Sequence, residues 1–369
     1  MLQQQIDIQK QLNPRPRTPE ECREIFAKNR EWGATFTDHM ITAFYTPTEG
    51  WHDLKVCPLG TLELHPATAA LHYGQAIFEG LKAYAQPDGS IAAFRPEMNA
   101  KRFAASAKRL AMAPLPEELF LASLSALVEA DRAWVPPGYG ESLYLRPLMF
   151  SNDARLMTRP SDTYRFVLMA SPVADYFPNG VKPVSVWISS EYVRAVRGGV
   201  GEAKCAGNYA ASFLAQREAV ANGCDQVVWL DAIDRQTVEE MGGMNVYFVY
   251  RTGGKPTIIT PKASGSLLKG ITRDTLLTLA ADLGYVAEER RITFDEWKSG
   301  CESGEISEAF ACGTAAVITP IGQVKSERGT FTVSDGGTGE VSARLRRTLL
   351  DIQHGRSPDP HGWRYQLTA

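Results

Sequence analysis

Residues 197–212 read RGGVGEAKCAGNYAAS, and one lysine, Lys204, stands among Gly198, Gly199, Gly201 and Gly207. The preceding KPVSVWISS carries the apolar and β-branched residues of a strand. The following YAASFLAQREAVANG has helical spacing. A lysine in a glycine-rich corner between strand and helix is most often a solvated surface residue. Whether this one carries chemistry depends on what the rest of the chain places beside it.

The chain has 369 residues, enough for two domains or one large one around a sizeable core. Hydrophobic residues are 44% and charged residues 22%, the ordinary globular range. A formal net charge of −3 with no Lys/Arg block argues against nucleic acid as a partner. No apolar run reaches the length of a membrane span. The opening MLQQQIDIQKQLNPRPRTPEEC lacks the apolar centre of a signal peptide, so a cytoplasmic protein is expected. Residues 1–30 read as a loose polar arm, with order beginning near Trp32. The cysteines, at 22, 57, 205, 224, 301 and 312, form no CxxC pair and read as reduced thiols. Neither they nor the histidines have the spacing of a zinc site, and no metal is expected.

Residues 35–95 read as strands and tight turns, with PDG at 87–89 marking one turn. Helical spacing follows over 98–113, ending at Pro114, and over 116–134. SLYLRPLMF and TYRFVLMASPV then read as strands. The pattern predicts an α+β domain over 1–173 and a joining loop over 174–186, where ADYFPNGVK supplies Pro and Gly. A larger domain is expected over 187–369. There, strands outnumber helices and short turns separate them, as in a mixed, barrel-like β core with helices around it.

A lysine amine becomes a nucleophile when desolvation or nearby cations lower its pKa, and a common use is a Schiff base with a substrate or with pyridoxal phosphate. The second use needs three further parts: an acid facing the pyridine nitrogen, donors for the phosphate, and a hydroxyl near the phenolate oxygen. TVEEMGGMN (237–245) puts Glu239 and Glu240 at a strand end. Adjacent strand residues face opposite ways, so one glutamate can face a site. KGITRDTLLTLA (269–280) offers a glycine before a helix whose first amides belong to Ile271 and Thr272. ACGTAAV (311–317) is a small-residue turn that a ligand could approach closely, and Tyr209 lies five residues past Lys204. Taken singly, each has an ordinary alternative: a solvated strand end, capping by Thr272, a turn chosen for packing, a core aromatic. It is their occurrence together and in this order that carries weight.

With these residues in view, the chain closely resembles the branched-chain amino-acid aminotransferases, class IV enzymes of the fold-type IV pyridoxal phosphate group. The resemblance rests on FTDHM (36–40), LHYGQAIFEGLKAY (71–84), FRPEMNAKRF (94–103), SLYLRP (142–147), SPVADYF (171–177), EYVRAVRGGVGEAKCAGNYAAS (191–212), EEMGGMN (239–245), GITRDTLL (270–277), ACGTAAVITPI (311–321) and LLDIQHG (349–355). It implies an α/β (α+β) enzyme of two domains, like D-amino-acid aminotransferase, with pyridoxal 5'-phosphate at the domain interface. It also implies a homodimer in which the partner's N-terminal domain reaches the active site.

The resemblance further implies roles. Lys204 would form the aldimine with the cofactor and shuttle the substrate's Cα proton. Glu240 would pair with the pyridine nitrogen, because it stands four residues before Met244 in the Glu-x-Gly-x-Met-Asn pattern. Tyr209 would bond the phenolate oxygen. Arg102, Ile271, Thr272 and Thr314 would hold the phosphate, and Arg194 would stand on the cofactor side. Gly243 is a departure: many relatives carry a hydroxyl there, and here only backbone can contribute. Phe36, Tyr73, Phe78, Tyr144 and Tyr176 would line an apolar wall for the substrate side chain. Arg146 would meet the γ-carboxylate of glutamate, which would cost roughly several kcal/mol to bury alone. The substrate α-carboxylate would meet the N–H groups of Thr314 and Ala315. The implied reaction moves an amino group from L-leucine, L-isoleucine or L-valine to 2-oxoglutarate by a ping-pong route. A D-amino-acid aminotransferase or an aminodeoxychorismate lyase on the same fold is the alternative. A cofactor-free protein that kept the scaffold is the rival from another class.

Overall fold

The computed structural model describes residues 6–29, 31–176, 180–251 and 254–369. The chain divides into two units, the first of which holds everything up to Tyr176, then Ala203–Ala206, then Asp351–Ala369. The second holds Phe177–Glu202 and Gly207–Leu350.

The first unit is built on a nine-stranded sheet. Its strands are β1 (Gln9–Lys10), β2 (His39–Thr46), β3 (Gly50–Pro58), β4 (Ala76–Phe78), β5 (Leu81–Ala85), β6 (Ile91–Phe94), β7 (Ser142–Ser151), β8 (Tyr164–Val173) and, from the C-terminus, β18 (Arg364–Thr368). The path runs β1-β3-β2-β8-β7-β5-β6-β18, and β4 joins on β7. Helices α3 (Pro96–Arg109) and α4 (Glu117–Ala130) pack against it, their Phe103 and Phe120 rings 5.6 Å apart, with Phe166 of β8 6.0 Å from Phe103. Pro96 takes the first turn of α3, where its missing N–H costs nothing.

One irregularity in this sheet positions the site. Along β7 the register pairs Phe78 of β4 with Leu148, and Leu81 of β5 with Leu145. β4 and β5 are therefore a single line interrupted at Glu79–Gly80, opposite Arg146–Pro147. Pro147 has no N–H to return to the ladder. It still accepts a bond from the Glu79 N–H at 2.8 Å.

The arm expected to be loose is docked over residues 6–29. β1 pairs with β3, and α1 (Pro19–Lys28) starts in a capping box between Thr18 and Glu21. The Asn13 N–H donates to His39 Nε2 at 2.8 Å, so the other ring nitrogen, Nδ1, donates to Asp131 at 2.6 Å. Arg17 pairs with the buried Asp38 at 2.8 Å. The partners lie 21 residues or more along the chain, which is why local composition gave no sign of them.

The second unit contains β9 (Val184–Ile188), β10 (Gln226–Leu230), β11 (Val238–Met241), β12 (Met244–Tyr250), β13 (Thr257–Pro261), β14 (Val286–Arg290), β15 (Ile306–Gly313), β16 (Val317–Ser326) and β17 (Gly329–Thr332). The order β11-β10-β9-β16-β15-β12 closes on itself through the β11–β12 pairing, which makes a six-strand barrel. Closure removes the exposed edges of those strands. Val186, Ile188, Val228, Leu230, Val246 and Phe248 fill a core completed by Trp297 of α8 (Phe294–Ser303). The expected barrel-like core is therefore present. The helix expected after the lysine corner is instead two short ones, α5 (Ala206–Ala210) and α6 (Phe213–Ala221).

The units differ from the expected boundaries in two ways. Residues 351–369 return to the first unit, because β18 pairs with β6. Residues 203–206, with Lys204 among them, also belong to it. Of the expected joining loop, residues 177–179 lie outside the described residues.

Candidate active site

The lysine is held through its backbone. β4 has one edge on β7, and the other takes the lysine segment. The Phe78 N–H donates to the Lys204 carbonyl at 3.0 Å, and Ile77 bridges Cys205 in antiparallel fashion. The Lys204 N–H donates to Ser106 Oγ of α3 at 2.9 Å. Asn99, Arg102 and Ser106 occur at helical spacing and so share one face of α3.

Around the amine, the first unit gathers aromatic rings and cations. Lys204 Nζ lies 5.0 Å from the centre of the Phe78 ring, and the Arg146 guanidinium 4.9 Å from the same ring. Tyr144 and Arg146 alternate with the buried Leu143, Leu145 and Pro147, so both project from one face of β7. Arg146 Nη2 donates to the Tyr144 hydroxyl at 3.0 Å. A Cβ at Gly80 would overlap that hydroxyl, so a side chain there must displace it. The Trp32 ring lies tilted 5.4 Å from Tyr144 and edge-on 5.9 Å from Tyr176, and Lys82 Nζ sits 5.1 Å from the Trp32 ring. Phe78, Tyr144, Arg146 and Tyr176 thus belong to one connected group. Phe36 and Tyr73 do not enter it by any described contact: both are exposed, Tyr73 at the end of the short helix α2 (Ala69–Tyr73).

Arg102, expected to hold phosphate, makes a two-pronged pair with Glu79: Nε to Oε1 at 2.6 Å and Nη2 to Oε2 at 2.9 Å. Asn99 Nδ2 and the Gly80 N–H also donate to Glu79, at 2.8 and 3.1 Å. Glu79 has no solvent exposure. Burial alone would raise its carboxyl, but Arg102, then Lys204 and Asn99, hold it below the ordinary range.

In the second unit Glu240 is the organising carboxylate. The β11–β12 hairpin turns through Gly242, whose φ is +57°, and sets Glu240 directly opposite Asn245. Asn245 Nδ2 and the Leu268 N–H donate to Glu240 Oε1 at 3.1 and 3.0 Å. Arg194 Nε lies 2.6 Å from Oε2, and both side chains are almost fully buried. Arg194 also donates to the carbonyls of Gly201 and Ser266. Glu239 is buried on the other face of the strand and accepts from Ser264 and Ser266. Its own burial raises its carboxyl, and Asp231 adds to the rise.

Helix α7 (Ile271–Asp282) starts from Gly270 in an extended conformation, with no side chain capping it. The amides of Ile271 and Thr272 therefore stand in a first turn that has no side-chain cap, the kind of terminus an anion can approach. A Cβ at Gly270 would overlap Asn245 Oδ1, which ties this terminus to the Glu240 network. A Cβ at Gly243 would meet nothing nearer than Tyr209 Cε1 at 3.5 Å, so backbone can approach a ligand there. Thr314 and Ala315 occupy the β15–β16 turn, which ends at Val317 with φ +62°. An open amide terminus, a glycine face beside a tyrosine, and a buried carboxylate fixed by a guanidinium fit a phosphorylated pyridine cofactor.

Sequence reasoning missed Trp32, Glu79, Asn99, Ser106 and Asn245. The Glu-Gly break between two strand-like runs and the Asn99–Arg102–Ser106 spacing were visible signals for three of them. The thiols of Cys205 and Cys312, adjacent to these elements, are buried. Burial pushes the Cys312 thiol far up, against a weaker opposing pull from Arg273. Among the described residues no cluster of histidine, cysteine and carboxylate could hold a metal ion.

Residues 76–324 match the family model described as amino-transferase class IV. The chain is 55% identical over 356 residues to the branched-chain-amino-acid aminotransferase of Mycolicibacterium smegmatis, covering 96% of each. It is 51% identical over 364 residues to the same enzyme of Mycobacterium tuberculosis, covering 98% of each. The fold is similar to that of a T.th. branched-chain amino acid aminotransferase with pyridoxamine 5'-phosphate, at TM-score 0.70 and 28% identity over 89% of this chain and 98% of that one. It also matches the branched-chain aminotransferase of Thermoproteus uzoniensis with norvaline, at TM-score 0.73 and 26% identity over 89% and 99%.

Proposed function

Because the chain belongs to the class IV aminotransferases and catalyses branched-chain amino-acid transamination, we propose that it moves the amino group of L-leucine, L-isoleucine or L-valine to 2-oxoglutarate. The products are the branched 2-oxo acid and L-glutamate. The observation that carries this reading is the sharing of the Phe78 ring by Lys204 and Arg146. It sets a reactive amine and a carboxylate-seeking guanidinium against one apolar surface, as an enzyme taking both leucine and glutamate requires.

Bound pyridoxal 5'-phosphate supplies an electron sink for the charge left when Cα loses its proton. The remaining work falls to this chain. Lys204 takes that proton and returns it. Glu240, fixed by Arg194 and Asn245, pairs with the ring nitrogen, and Tyr209 donates to the phenolate oxygen. Arg102, the amides of Ile271 and Thr272, Thr314 and the Gly243 backbone hold the phosphate. The substrate α-carboxylate takes the N–H groups of Thr314 and Ala315. Phe78, Tyr144 and Tyr176 take the apolar side chain, while Arg146 and the Tyr144 hydroxyl take the γ-carboxylate of glutamate. Turnover of L-leucine with 2-oxoglutarate tests the reading. Turnover of D-alanine in place of L-leucine would move the assignment to the D-amino-acid enzyme.

Gly80→Ala should push the Tyr144 hydroxyl away from Arg146. Losing a hydrogen bond to a charged group costs about 1.5–3 kcal/mol, so the KM for 2-oxoglutarate should rise at least about tenfold. The KM for L-leucine should move much less, and steady-state kinetics on both substrates would show the split.

The enzyme is proposed to work as a homodimer in the cytoplasm. Supporting dimerisation, Leu71, Leu156 and Met157 are 63%, 69% and 54% exposed. They lie on neighbouring segments joined by the Thr68–Ala154 bridge. Tyr73 stands on the same helix as Leu71. Leu156→Glu should give a monomer in sedimentation velocity and lower activity with it. A dimer unchanged in mass and activity would remove this face from the interface. Among the described residues no helix is long and apolar enough to cross a membrane.

A further inference from the structure

We propose that Glu79 is a positioning residue for the cofactor phosphate, because its buried carboxylate fixes the Arg102 guanidinium by one edge and so orients the other edge for the phosphate. The inference rests on the reading of Arg102 as a phosphate ligand and adds what holds Arg102 in place.

Three observations carry it. First, Glu79 occupies the break between β4 and β5, opposite Arg146–Pro147, where the ladder lacks one donor. A residue in a continuous strand would send its side chain to one face at a fixed angle. The register on β7 runs unshifted through the break, so Glu79 shares the buried face of Ile77 and Leu81, and there it meets Asn99 and Arg102 one turn apart. Second, its satisfaction is complete for a buried carboxylate. Two bonds from Arg102, one from Asn99 and one from the Gly80 N–H meet it, and it has no exposure to water. A guanidinium gripped through Nε and one Nη has lost the freedom of its long side chain before a ligand arrives, and that lowers the entropy cost of binding. Third, the same element aligns the lysine. Phe78, next to Glu79, receives the Lys204 segment through its backbone N–H. Lys204 also contributes to keeping the Glu79 carboxyl ionised. Arg102 and Lys204 are thus set from one two-residue stretch, Phe78–Glu79.

The test is equilibrium binding of two aldehydes to the apoenzyme: pyridoxal 5'-phosphate and pyridoxal, which lacks the phosphate. Wild type, Glu79→Gln, Glu79→Asp, Arg102→Gln and the Glu79→Gln/Arg102→Gln double variant are compared by absorbance titration. Glu79→Gln should weaken pyridoxal phosphate about tenfold and leave pyridoxal within about twofold, because only the phosphate contact depends on the orientation of Arg102. Glu79→Asp keeps the charge on a shorter arm and should fall between wild type and Glu79→Gln. The double variant should bind no more weakly than Arg102→Gln alone, since Glu79 acts through Arg102. Equal losses for both aldehydes, or additive losses in the double variant, would overturn the proposal and leave Glu79 a purely structural carboxylate. Pyridoxal phosphate binding unchanged or tighter in Glu79→Gln would overturn it as well. If Arg102→Gln itself binds both aldehydes like wild type, the phosphate role of Arg102 fails and this inference falls with it. If Glu79→Gln does not fold, the Glu79→Asp comparison between the two aldehydes decides the matter alone.

Discussion

Lys204→Ala should lower L-leucine turnover by about 10⁴-fold or more, the upper range for removing a positioned proton-transfer group. The protein should stay folded and should still take up pyridoxal phosphate non-covalently. This separation is expected because the segment is fixed by main-chain groups that survive the substitution. The Lys204 carbonyl still accepts from the Phe78 N–H, and its N–H still donates to Ser106. What disappears is the amine beside the Phe78 ring. A variant that transaminates at the wild-type rate would show that Lys204 is not the proton carrier. A variant that fails to fold would mean the side chain, not the backbone, holds the corner.

Glu240→Ala should damage both stability and activity. It strips Arg194 of its ion-pair partner in a place where both side chains are nearly out of solvent. Breaking one half of a buried pair costs about 3–5 kcal/mol, because the surviving charge is left unpaired. It also deprives the Leu268 N–H of its acceptor and leaves Asn245 Nδ2 with the Leu268 carbonyl in place of two acceptors. Turnover should fall by about 10²–10³-fold, the range seen when one electrostatic stabiliser is removed from an active site. The two effects can be separated. Replacing both members, as in Glu240→Leu with Arg194→Met, should recover much of the stability, since it removes the unpaired charge. It should recover no activity, since nothing then faces the ring nitrogen. Urea unfolding together with single-turnover rates on the three proteins would check this. Full activity in the double variant would contradict the role given to Glu240.

Much of the local structure around the proposed site residues was readable because their spacing follows strand and helix geometry. The Glu-x-Gly-x-Met-Asn stretch, read as glutamates at a strand end, is a two-glycine hairpin that places Glu240 opposite Asn245. The Gly270–Thr272 reading rested on a helix start, and the helix begins there without a side-chain cap. The barrel was visible as many short strands with short turns, although the β9–β16 and β12–β15 pairings that complete it join strands distant in sequence. What escaped reading was set by partners distant in sequence. The docking of residues 13–17 depends on His39 and Asp38, and the return of residues 364–368 depends on β6. Glu79 escaped for a different reason. A glutamate between apolar runs looks like a solvated strand end until Pro147 is placed opposite it and α3 is laid over it. The Arg102–Glu79 pair also shows that a residue assigned by resemblance to a ligand can first be engaged by its own neighbour.

The most direct test of the account is to find which lysine holds the cofactor. The holoenzyme is treated with sodium borohydride, which fixes the cofactor to the amine that carries it, then digested and mapped by mass spectrometry. The account predicts a single modified peptide, spanning the glycine-rich corner, with the pyridoxyl group on Lys204. The group on any other lysine, or no fixed group in a protein that still turns over L-leucine, would contradict it.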